Sequence, residues 1–310
     1  MEKATNKLMQ HTGHLLMIEP VNFGFNAETA VNNTFQVNTN KNVQEQALAE
    51  FNAFVRLLRE NKIDVTVIKD TADPFTPDSI FPNNWISFHE DGNVFLYPMY
   101  AANRRKERKQ HILEELGSIF HIGKINDLSY HETENIFLEG TGSMVLDRDN
   151  RIAYACISPR TNATLLNEFC RNNHYSAVSF SSKDMNDVDI YHTNVMMCVA
   201  DKFAVICLDS ITGQVERKKV IDSLTDTKKD IIDISLLQLN SFAGNMLQVK
   251  NKDNELLLIM STQAYRSLTS EQIQQMGKYN RLIHSSLDTI ETAGGGSARC
   301  MMAEIFNKPK

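Results

Sequence analysis

Along the chain, apolar and polar positions predict one structural unit five times: a β-hairpin, an amphipathic helix and a short strand. Residues 85–98 (WISFHEDGNVFLYP) are typical of the hairpin, because two apolar runs flank a polar turn that contains Asp91-Gly92. Similar patterns predict hairpins over 143–155, 195–208 and 246–260. A fifth hairpin would pair 301–306 with 15–19, so the two ends of the chain are predicted to close on each other.

Between the hairpins, apolar residues recur at helical spacing. The clearest helix is Val43–Glu60, whose apolar face comprises Ala47, Phe51, Phe54, Val55 and Leu58. Further helices are predicted over 104–116, 162–171, 215–224 and 270–278, the last with Thr269 as its N-cap. A short apolar strand follows each helix, at 63–68, 118–122, 175–180, 231–234 and 282–287. We therefore predict an α/β fold in which residues 1–310 form one closed domain, with strands inside and helices outside.

Composition and charge exclude several kinds of partner. The chain has 310 residues, of which 42% are hydrophobic and 23% charged, as in soluble globular proteins. The net charge of −6 argues against nucleic-acid binding. No apolar run reaches the roughly 20 residues of a membrane span, and the N-terminus does not resemble a signal peptide. We expect a cytoplasmic protein with a small-molecule substrate, and a homodimer is compatible with this composition.

Two segments lie outside the hairpin pattern. Residues 103–109 (NRRKERK) are the densest cationic run and are interpreted as a solvated face at the start of a helix. Residues 22–33 (NFGFNAETAVNN) are polar and carry a glycine. Two interpretations of this second segment stay open, namely a lid over a site or a surface loop in which a helix begins.

Unusual polar residues precede every predicted hairpin. The five segments are 81–84 (FPNN), 137–142 (FLEGTG), 191–194 (YHTN), 240–245 (NSFAGN) and 294–300 (GGGSARC). Equivalent strand starts in a radial repeat converge near its axis, so Cys300, His192 and Glu139 are predicted to meet there. A thiol, an imidazole and a carboxylate supply the nucleophile, the acid/base and the orienting acid of covalent catalysis.

The cysteines separate into two groups. Cys156, Cys170, Cys198 and Cys207 lie in predicted strands, hairpins or a helix and are interpreted as buried packing residues. Cys300 follows three glycines, which let the backbone approach a ligand, and a neighbouring arginine, which favours a thiolate. The five cysteines include no CxxC pair, so no zinc or redox motif is predicted. Taken singly, His192 and Glu139 also admit structural interpretations, and it is their equivalent positions that favour catalysis.

These segments resemble the guanidino-group-modifying enzymes, the pentein or arginine deiminase/amidinotransferase superfamily. The GGGxxRCM signature ends at Cys300-Met301, the Glu-Gly motif begins at Glu139, and the His-x-Asp/Asn motif is 192–194. Three further runs, 23–26 (FGFN), 81–85 (FPNNW) and 139–148 (EGTGSMVLDR), are similar to the branch of citrulline-utilisation hydrolases. The resemblance covers essentially the whole chain. It implies a five-bladed α/β propeller and covalent catalysis without a metal or an organic cofactor.

The resemblance also implies a role for each site residue. Cys300 would attack the central carbon of the substrate's terminal group. His192 would act as general acid for the leaving group and then as base for water, while Glu139 orients His192 and contacts the substrate. Residues 158–162 (SPRTN) resemble a loop of the dimethylarginine-hydrolysing branch, so Arg160 is the candidate for binding the α-carboxylate. Phe25 and Asn26, in the FGFN run, are further substrate-binding candidates.

Departures from the family pattern bear on the substrate. Arginine-processing members usually carry aspartates where this chain has Asn84, Gly142 and Asn194. A buried guanidinium needs carboxylate partners, whereas a ureido group is neutral and suits the amides of Asn83 and Asn84. We therefore predict hydrolysis of citrulline to ornithine, ammonia and carbon dioxide. The alternatives are an arginine deiminase or dimethylarginine-type guanidine hydrolase, an amidinotransferase, and a non-catalytic binding protein, against which the GGGSARC run argues.

Overall fold

A computed structural model describes residues 9–38 and 42–310. Within these residues, fifteen strands form five sheets of three strands each. The strands are β1 (His14–Glu19), β2 (Asp64–Lys69), β3 (Ile86–Phe88), β4 (Val94–Leu96), β5 (Ile125–Asp127), β6 (Val145–Asp147), β7 (Ile152–Cys156), β8 (Ser176–Phe180), β9 (Met197–Val199), β10 (Phe203–Ile206), β11 (Asp230–Asp233), β12 (Leu247–Lys250), β13 (Leu256–Ser261), β14 (Arg281–Ser285) and β15 (Ala303–Glu304).

Each sheet has the same plan. Its middle strand runs antiparallel to its hairpin partner and parallel to the strand that follows the helix, giving the orders β15-β1-β2, β3-β4-β5, β6-β7-β8, β9-β10-β11 and β12-β13-β14. In the first sheet, Leu15 lies opposite Glu304 of the C-terminal strand. The predicted hairpins, and the closure of the chain ends on each other, are therefore confirmed.

The helices lie between these strands in the described part of the chain. They are α1 (Ala27–Ala30), α2 (Val43–Glu60), α3 (Gln110–Ile119), α4 (Gly140–Ser143), α5 (Ala163–Asn172), α6 (Thr193–Met196), α7 (Gln214–Asp226), α8 (Leu236–Asn240), α9 (Thr262–Ser267), α10 (Ser270–Gly277) and α11 (Asp288–Gly294). Short 3₁₀ helices occupy Pro82–Asn84, Arg104–Glu107, Ser129–Glu134, Leu208–Ser210 and Ala298–Met301. No helix of this part of the chain is both long and apolar enough to span a bilayer.

Helix α2 shows how the sequence pattern drives packing. Its predicted apolar face is buried in full, and each large side chain on such a face contributes about 1.5–3 kcal/mol when it leaves water. Phe51 and Phe54 are wholly inaccessible and pack with the β1 residues Leu15 and Met17. Helix α10 begins as predicted at Thr269, whose side chain accepts a hydrogen bond from Gln272 N in a capping box.

The second module departs from the prediction in two ways. Residues 104–107 form a 3₁₀ turn, and the α-helix begins only at Gln110. The strand predicted over 118–122 is wrong, because α3 continues to Ile119 and the third strand is β5. The apolar signal came from residues such as Phe120, which packs in the core. Strand β5 itself is largely exposed at the sheet edge and therefore carries no apolar pattern.

The hairpin starts come together in space. The 3₁₀ helix Pro82–Asn84 contacts both α4 and the 3₁₀ helix Ala298–Met301, and α4 in turn contacts α6. These turns carry the polar segments that precede four of the five hairpins. The repeat thus gathers residues that are far apart in sequence into one buried region.

Candidate active site

The Cys300 thiol lies in the 3₁₀ helix Ala298–Met301 and is only 4% exposed. The preceding glycines allow a close approach, because a Cβ at Gly294 or Gly296 would lie within 3 Å of the Phe81 ring. Gly295 adopts a left-handed conformation (φ 62°), and its carbonyl accepts a hydrogen bond of 2.7 Å from the Tyr191 hydroxyl. The three glycines therefore let the backbone pass close to the Phe81 ring, and this path places Cys300 in the site.

Two amide groups donate to the cysteine sulfur. Asn245 Nδ2 lies 3.3 Å and Asn194 Nδ2 3.5 Å from Cys300 Sγ. Asn245 is held in place because its Oδ1 accepts a hydrogen bond from Arg299 N at 2.9 Å. The Arg299 guanidinium, expected from the sequence to favour a thiolate, is paired with Glu304 at 2.7 Å. The N–H donors at the sulfur therefore come from side-chain amides.

His192 and Glu139 form a buried pair. His192 Nε2 lies 2.7 Å from Glu139 Oε2, and Glu139 Oε1 accepts from Tyr100 N at 2.8 Å. Burial lowers the pKa of His192 to about 4, although Glu139 opposes the shift. Burial would raise the pKa of Glu139, but Arg160 and the hydrogen bond with His192 outweigh it and lower that pKa to about 2. At neutral pH the ring is therefore neutral, donates its Nε2 proton to the carboxylate and keeps Nδ1 unprotonated.

The Glu-Gly motif fixes this pair through close packing of α4. Gly140 adopts a left-handed conformation (φ 50°), where a Cβ would overlap the carbonyl of Asn83. A Cβ at Gly142 would overlap Asn84 Nδ2 and lie 2.8 Å from His192 Nδ1. Position 142 therefore has no room for an aspartate side chain.

Two buried arginines, Arg104 and Arg160, adjoin the pair. Arg104 donates to Asn84 Oδ1 and to Glu107 Oε1, each at 2.8 Å, and lies 3.8 Å from Asp78. The interpretation of 103–109 as a solvated face is wrong at this position, since Arg104 is 2% exposed. Glu107 and Lys109 are buried as well. The carboxylate partners of Arg104 and Lys109 are Asp78, Glu107 and Asp70. A count of charges along the sequence does not reveal these pairs.

Arg160 contacts the 22–33 segment and the His192–Glu139 pair. Its Nε donates to Asn32 Oδ1 at 3.0 Å and its Nη2 to Thr29 O at 2.9 Å. Its Nη1 lies 3.6 Å from Glu139 Oε2, and its guanidinium stacks over the Tyr191 ring at 4.8 Å. Arg160 therefore links the 22–33 segment to Glu139.

The residues predicted to bind substrate occupy different places relative to the cavity beside Cys300. Asn84 lines the cavity and donates to Asn83 Oδ1 at 3.0 Å. Asn83 Nδ2 and Asn194 Oδ1 are buried without a hydrogen-bond partner among the described residues. Asn26 caps α1 and donates to Asp78 Oδ2 at 2.7 Å, so it stands behind the cavity wall. Phe25 is half-buried and does not line the cavity.

One small cavity is lined by Cys300, His192, Asp78 and Asn84. Its walls come from the hairpin starts, from Arg104 and Arg160, and from Thr29 and Asn33 of the 22–33 segment. The volume is about 10 Å³, the space of one water. A molecule larger than water therefore enters only if a wall moves, and the 22–33 segment, which contributes Thr29 and Asn33 to the lining, is the wall built from the least regular structure.

Sequence reasoning missed Asp78, Arg104 and Asn245. Asp78 lines the cavity, and its Oδ1 has no hydrogen-bond partner among the described residues. Burial raises the pKa of Asp78 even though Arg104 lies close by. A signal existed for Asn245 alone, because it ends the segment that precedes the fourth hairpin. The described residues contain no cluster of three or more side chains suited to holding a metal ion.

This fold is that of the pentein superfamily of guanidino-group-modifying enzymes. The chain belongs to the family described as N,N dimethylarginine dimethylhydrolase, eukaryotic, whose model matches residues 19–307. This family is one of hydrolases. No match was found among curated protein sequences.

Solved structures show the same fold at low identity. ArgZ, an arginine dihydrolase from the ornithine-ammonia cycle in cyanobacteria, is 18% identical with a TM-score of 0.75, and the match covers 94% of this chain and 40% of ArgZ. The N-terminal domain of ArgZ, in a variant covalently bound to a reaction intermediate, is 18% identical with a TM-score of 0.74, covering 94% and 97%. A dimethylarginine dimethylaminohydrolase adduct is 18% identical with a TM-score of 0.65, covering 95% and 100%. The chain thus spans about two fifths of full-length ArgZ.

Proposed function

We propose that this protein is a cysteine-dependent hydrolase that cleaves a terminal C–N bond of a guanidino α-amino acid, either arginine or an N-methylated arginine. The observation that carries the proposal is the cavity lined by Cys300, His192 and Asp78, with Glu139 hydrogen-bonded to His192 behind its wall. Family membership supports the same substrate class. The sequence alone favours citrulline as the substrate, and we propose a guanidino compound in its place.

The charge of the site favours a cationic substrate. Three buried carboxylates and two buried guanidiniums surround the cavity, namely Asp78, Glu107 and Glu139 against Arg104 and Arg160. With His192 neutral and all three carboxylates ionised, their formal charges leave one negative charge. Burial raises the pKa of Asp78 and of Glu107, so a cation in the cavity favours this ionised state. A guanidino amino acid carries one net positive charge and citrulline carries none. Because an uncompensated buried charge is costly, the guanidino compound completes the balance, and the free Oδ1 of Asp78 offers an acceptor for it.

The proposed reaction has two halves. The Cys300 sulfur attacks the guanidino carbon as the thiol proton passes to Nδ1 of His192. His192 then gives this proton to the departing amine, so the C–N bond breaks and an S-linked thiouronium remains. Water next attacks the same carbon and passes a proton to His192, and the C–S bond breaks as the thiol re-forms. The products are a ureido amino acid and ammonia, or a methylamine when the substrate is methylated.

The remaining residues are proposed to bind the substrate. Arg160 Nη1 lies too far from Glu139 for a hydrogen bond and is our candidate for the α-carboxylate. Asn83, Asn84 and Asn194 are proposed to face the reacting end. Asn26 acts by positioning Asp78, to which it donates. A substrate contact for Phe25 stays a prediction from the sequence.

Citrulline is the second candidate, and the amides around the thiol favour it. Asn194 and Asn245 both donate to Cys300 Sγ, Asn84 lies on the same cavity, and Gly142 excludes an aspartate. A neutral ureido group fits such a set of uncharged donors and acceptors. Citrulline is also the product of the first hydrolysis of arginine, so an enzyme that performs both steps would release ornithine.

A substrate panel tests the proposal. The purified protein is incubated separately with L-arginine, N-methylated arginines and L-citrulline, and citrulline, ornithine, methylamines and ammonia are quantified. We expect turnover of a guanidino substrate that disappears in Cys300→Ala. Turnover of citrulline without turnover of any guanidino compound would instead favour a ureido substrate. Adding glycine as an amine acceptor detects an amidinotransferase.

The charge argument has its own variants. Asp78→Asn should lower kcat/KM for the guanidino substrate more than for citrulline, because it removes the negative charge that the cation balances. Asn84→Asp should shift the preference further towards guanidino substrates. Ser79→Ala, a neutral change beside Asp78, is the matched control. Equal losses for both substrates in Asp78→Asn would contradict the charge argument while leaving the hydrolase itself in place.

We also propose that residues 1–310 form one domain in which the five modules are arranged as a five-bladed α/β propeller. Contacts between sheets support this arrangement, since β15 contacts β3, β6 contacts β9, and β9 contacts β12. All five cysteines are unpaired, which supports a reducing compartment such as the cytoplasm.

A further inference from the structure

A second cavity lies away from Cys300, between the β3–β4 turn, the β6–β7 turn and the end of α5. Its volume is about 230 Å³, against about 10 Å³ for the cavity at the thiol. Arg148, Tyr175 and His89 form a buried floor, and the exposed carboxylates of Glu90 and Asp91 lie at the rim. The proposed reaction uses none of these residues.

The floor carries a positive charge that is only partly compensated. Arg148 is 4% exposed, and among the described residues its nearest carboxylate is that of Glu304, at 3.8 Å. The same oxygen, Glu304 Oε2, accepts a hydrogen bond of 2.7 Å from Arg299 Nη2. Two buried guanidiniums therefore share one carboxylate. Because a buried charge is costly unless it is paired, the Arg148 side of this cluster suits an anion.

The groups around Arg148 do not neutralise its charge. Burial lowers the pKa of His89 to about 3, and the field of Arg148 acts in the same direction. Arg148 also stacks over the Phe306 ring at 4.2 Å, which orients its guanidinium without neutralising it. Arg151, half-buried in the same turn, adds a second cation to the wall.

We infer that this cavity is a second ligand site, which binds a small α-amino acid with its carboxylate on Arg148 and its ammonium towards Glu90 and Asp91. A guanidinium at the floor provides bidentate donors for a carboxylate, and the acidic rim matches the ammonium. The volume lies below the roughly 300 Å³ at which sites for drug-sized molecules begin, so a molecule of amino-acid size fits.

The site also has a physical route to the catalytic cysteine. Arg148 and Arg299 share Glu304, and Arg299 precedes Cys300 and donates its backbone N–H to Asn245 Oδ1. A ligand carboxylate bound to Arg148 would supply part of the negative charge that Glu304 provides. Glu304 would then pair with Arg299 alone. Occupancy of the second cavity is therefore expected to alter the donors at the thiol.

Binding of glycine to the full-length protein tests the inference, with glycinamide, which lacks the carboxylate, as the matched probe. Neither compound has a guanidino or ureido group, so the outcome does not depend on the proposed reaction. Calorimetric titration should show glycine binding that weakens at least tenfold in Arg148→Gln and changes less than twofold in Arg160→Gln. Glycinamide should bind at least tenfold more weakly than glycine to the wild type.

A chemical block keeps the test decisive if Arg148→Gln does not fold. Alkylating Cys300 with iodoacetamide fills the small cavity at the thiol and modifies no residue that lines the second cavity. Glycine binding that persists after alkylation, with glycinamide still excluded, supports the second site. Loss of glycine binding on alkylation, or on Arg160→Gln with Arg148→Gln unaffected, would place the glycine at the catalytic cavity and overturn the inference.

Discussion

Asn245 Nδ2 lies 3.3 Å from Cys300 Sγ, although the two residues are 55 positions apart and begin different hairpins. The same amide group donates to Asn194 O at 2.8 Å, and Asn194 Nδ2 also reaches the sulfur. The two side-chain amides therefore fix the position of the sulfur, and they would donate to the negative charge that the sulfur carries during attack.

Replacing Asn245 by alanine should therefore slow the nucleophile. We expect a loss in kcat of about 10²-fold, similar to the removal of one donor from a developing anion, and slower alkylation of Cys300 by iodoacetamide at pH 7. The alkylation rate is followed by mass spectrometry of the Cys300 peptide. Asn251→Ala, which changes an asparagine in the β12–β13 turn, is the control. Unchanged alkylation in Asn245→Ala would show that the amide only packs against the sulfur.

Glu139→Gln should impair catalysis while keeping the shape of the site. A neutral amide can donate to His192 Nε2 and so favours the opposite tautomer, with Nδ1 protonated and unable to accept the thiol proton. We expect kcat to fall on the order of 10³-fold, as when a carboxylate that orients a catalytic histidine is neutralised. Glu134→Gln, which changes the exposed glutamate paired with His131, is the matched control. A fall in stability without any change in kcat would reduce Glu139 to a structural role.

Gly142→Ala tests the contact between α4 and the site. A Cβ at this position would overlap Asn84 Nδ2 and lie 2.8 Å from His192 Nδ1, so both side chains must shift. Small displacements of catalytic groups can cost about 10²-fold in rate, and we expect a kcat loss of this size. Gly117→Ala in α3 is the control, because a Cβ there would meet only Ile122 Cδ1 at 3.9 Å. Normal kinetics in Gly142→Ala would mean that α4 yields without moving the pair.

Local patterns were sufficient to predict most of the fold and the central residues of the site. Turn signals such as Asp91-Gly92 predict the hairpins, and the spacing of the phenylalanines predicts α2. Because each module begins at an equivalent place, the repeat also predicted that His192, Glu139 and Cys300 would be near one another. The structure places His192 and Cys300 on one cavity, with Glu139 bonded to His192.

The missed residues have pairings that local sequence does not encode. Arg104 stands in a run that looks solvated, and it is buried because Asp78 and Glu107 pair with it inside the protein. Asp78 lies in an irregular segment and acquires its place only when α1 packs against it through Asn26. Strand β5 was missed for a related reason, since an exposed edge strand needs no apolar alternation.

Buried histidines should make the protein sensitive to acid, and His89 offers the clearest test. Its pKa in the folded protein is about 3, below the value of about 6.5 in an unfolded chain. Between these two pH values the unfolded state binds a proton that the folded state does not, so stability falls as the pH drops through this window. Glu107 and Glu291 have the opposite effect. Burial raises the pKa of each carboxyl to about 7, so their contribution to the free energy of unfolding falls as the pH rises towards that value.

Comparison with His89→Gln separates these contributions, because the variant keeps both glutamates and lacks only the titrating ring. The free energy of unfolding is measured by urea denaturation from pH 4 to 8 for both proteins. The wild-type value minus the variant value should fall as the pH drops below about 6.5, by up to about 1.4 kcal/mol per pH unit. His121→Gln, a change of an exposed histidine, is measured in parallel. A difference that rises towards low pH would mean that the folded protein protonates His89, contrary to its burial beside Arg148.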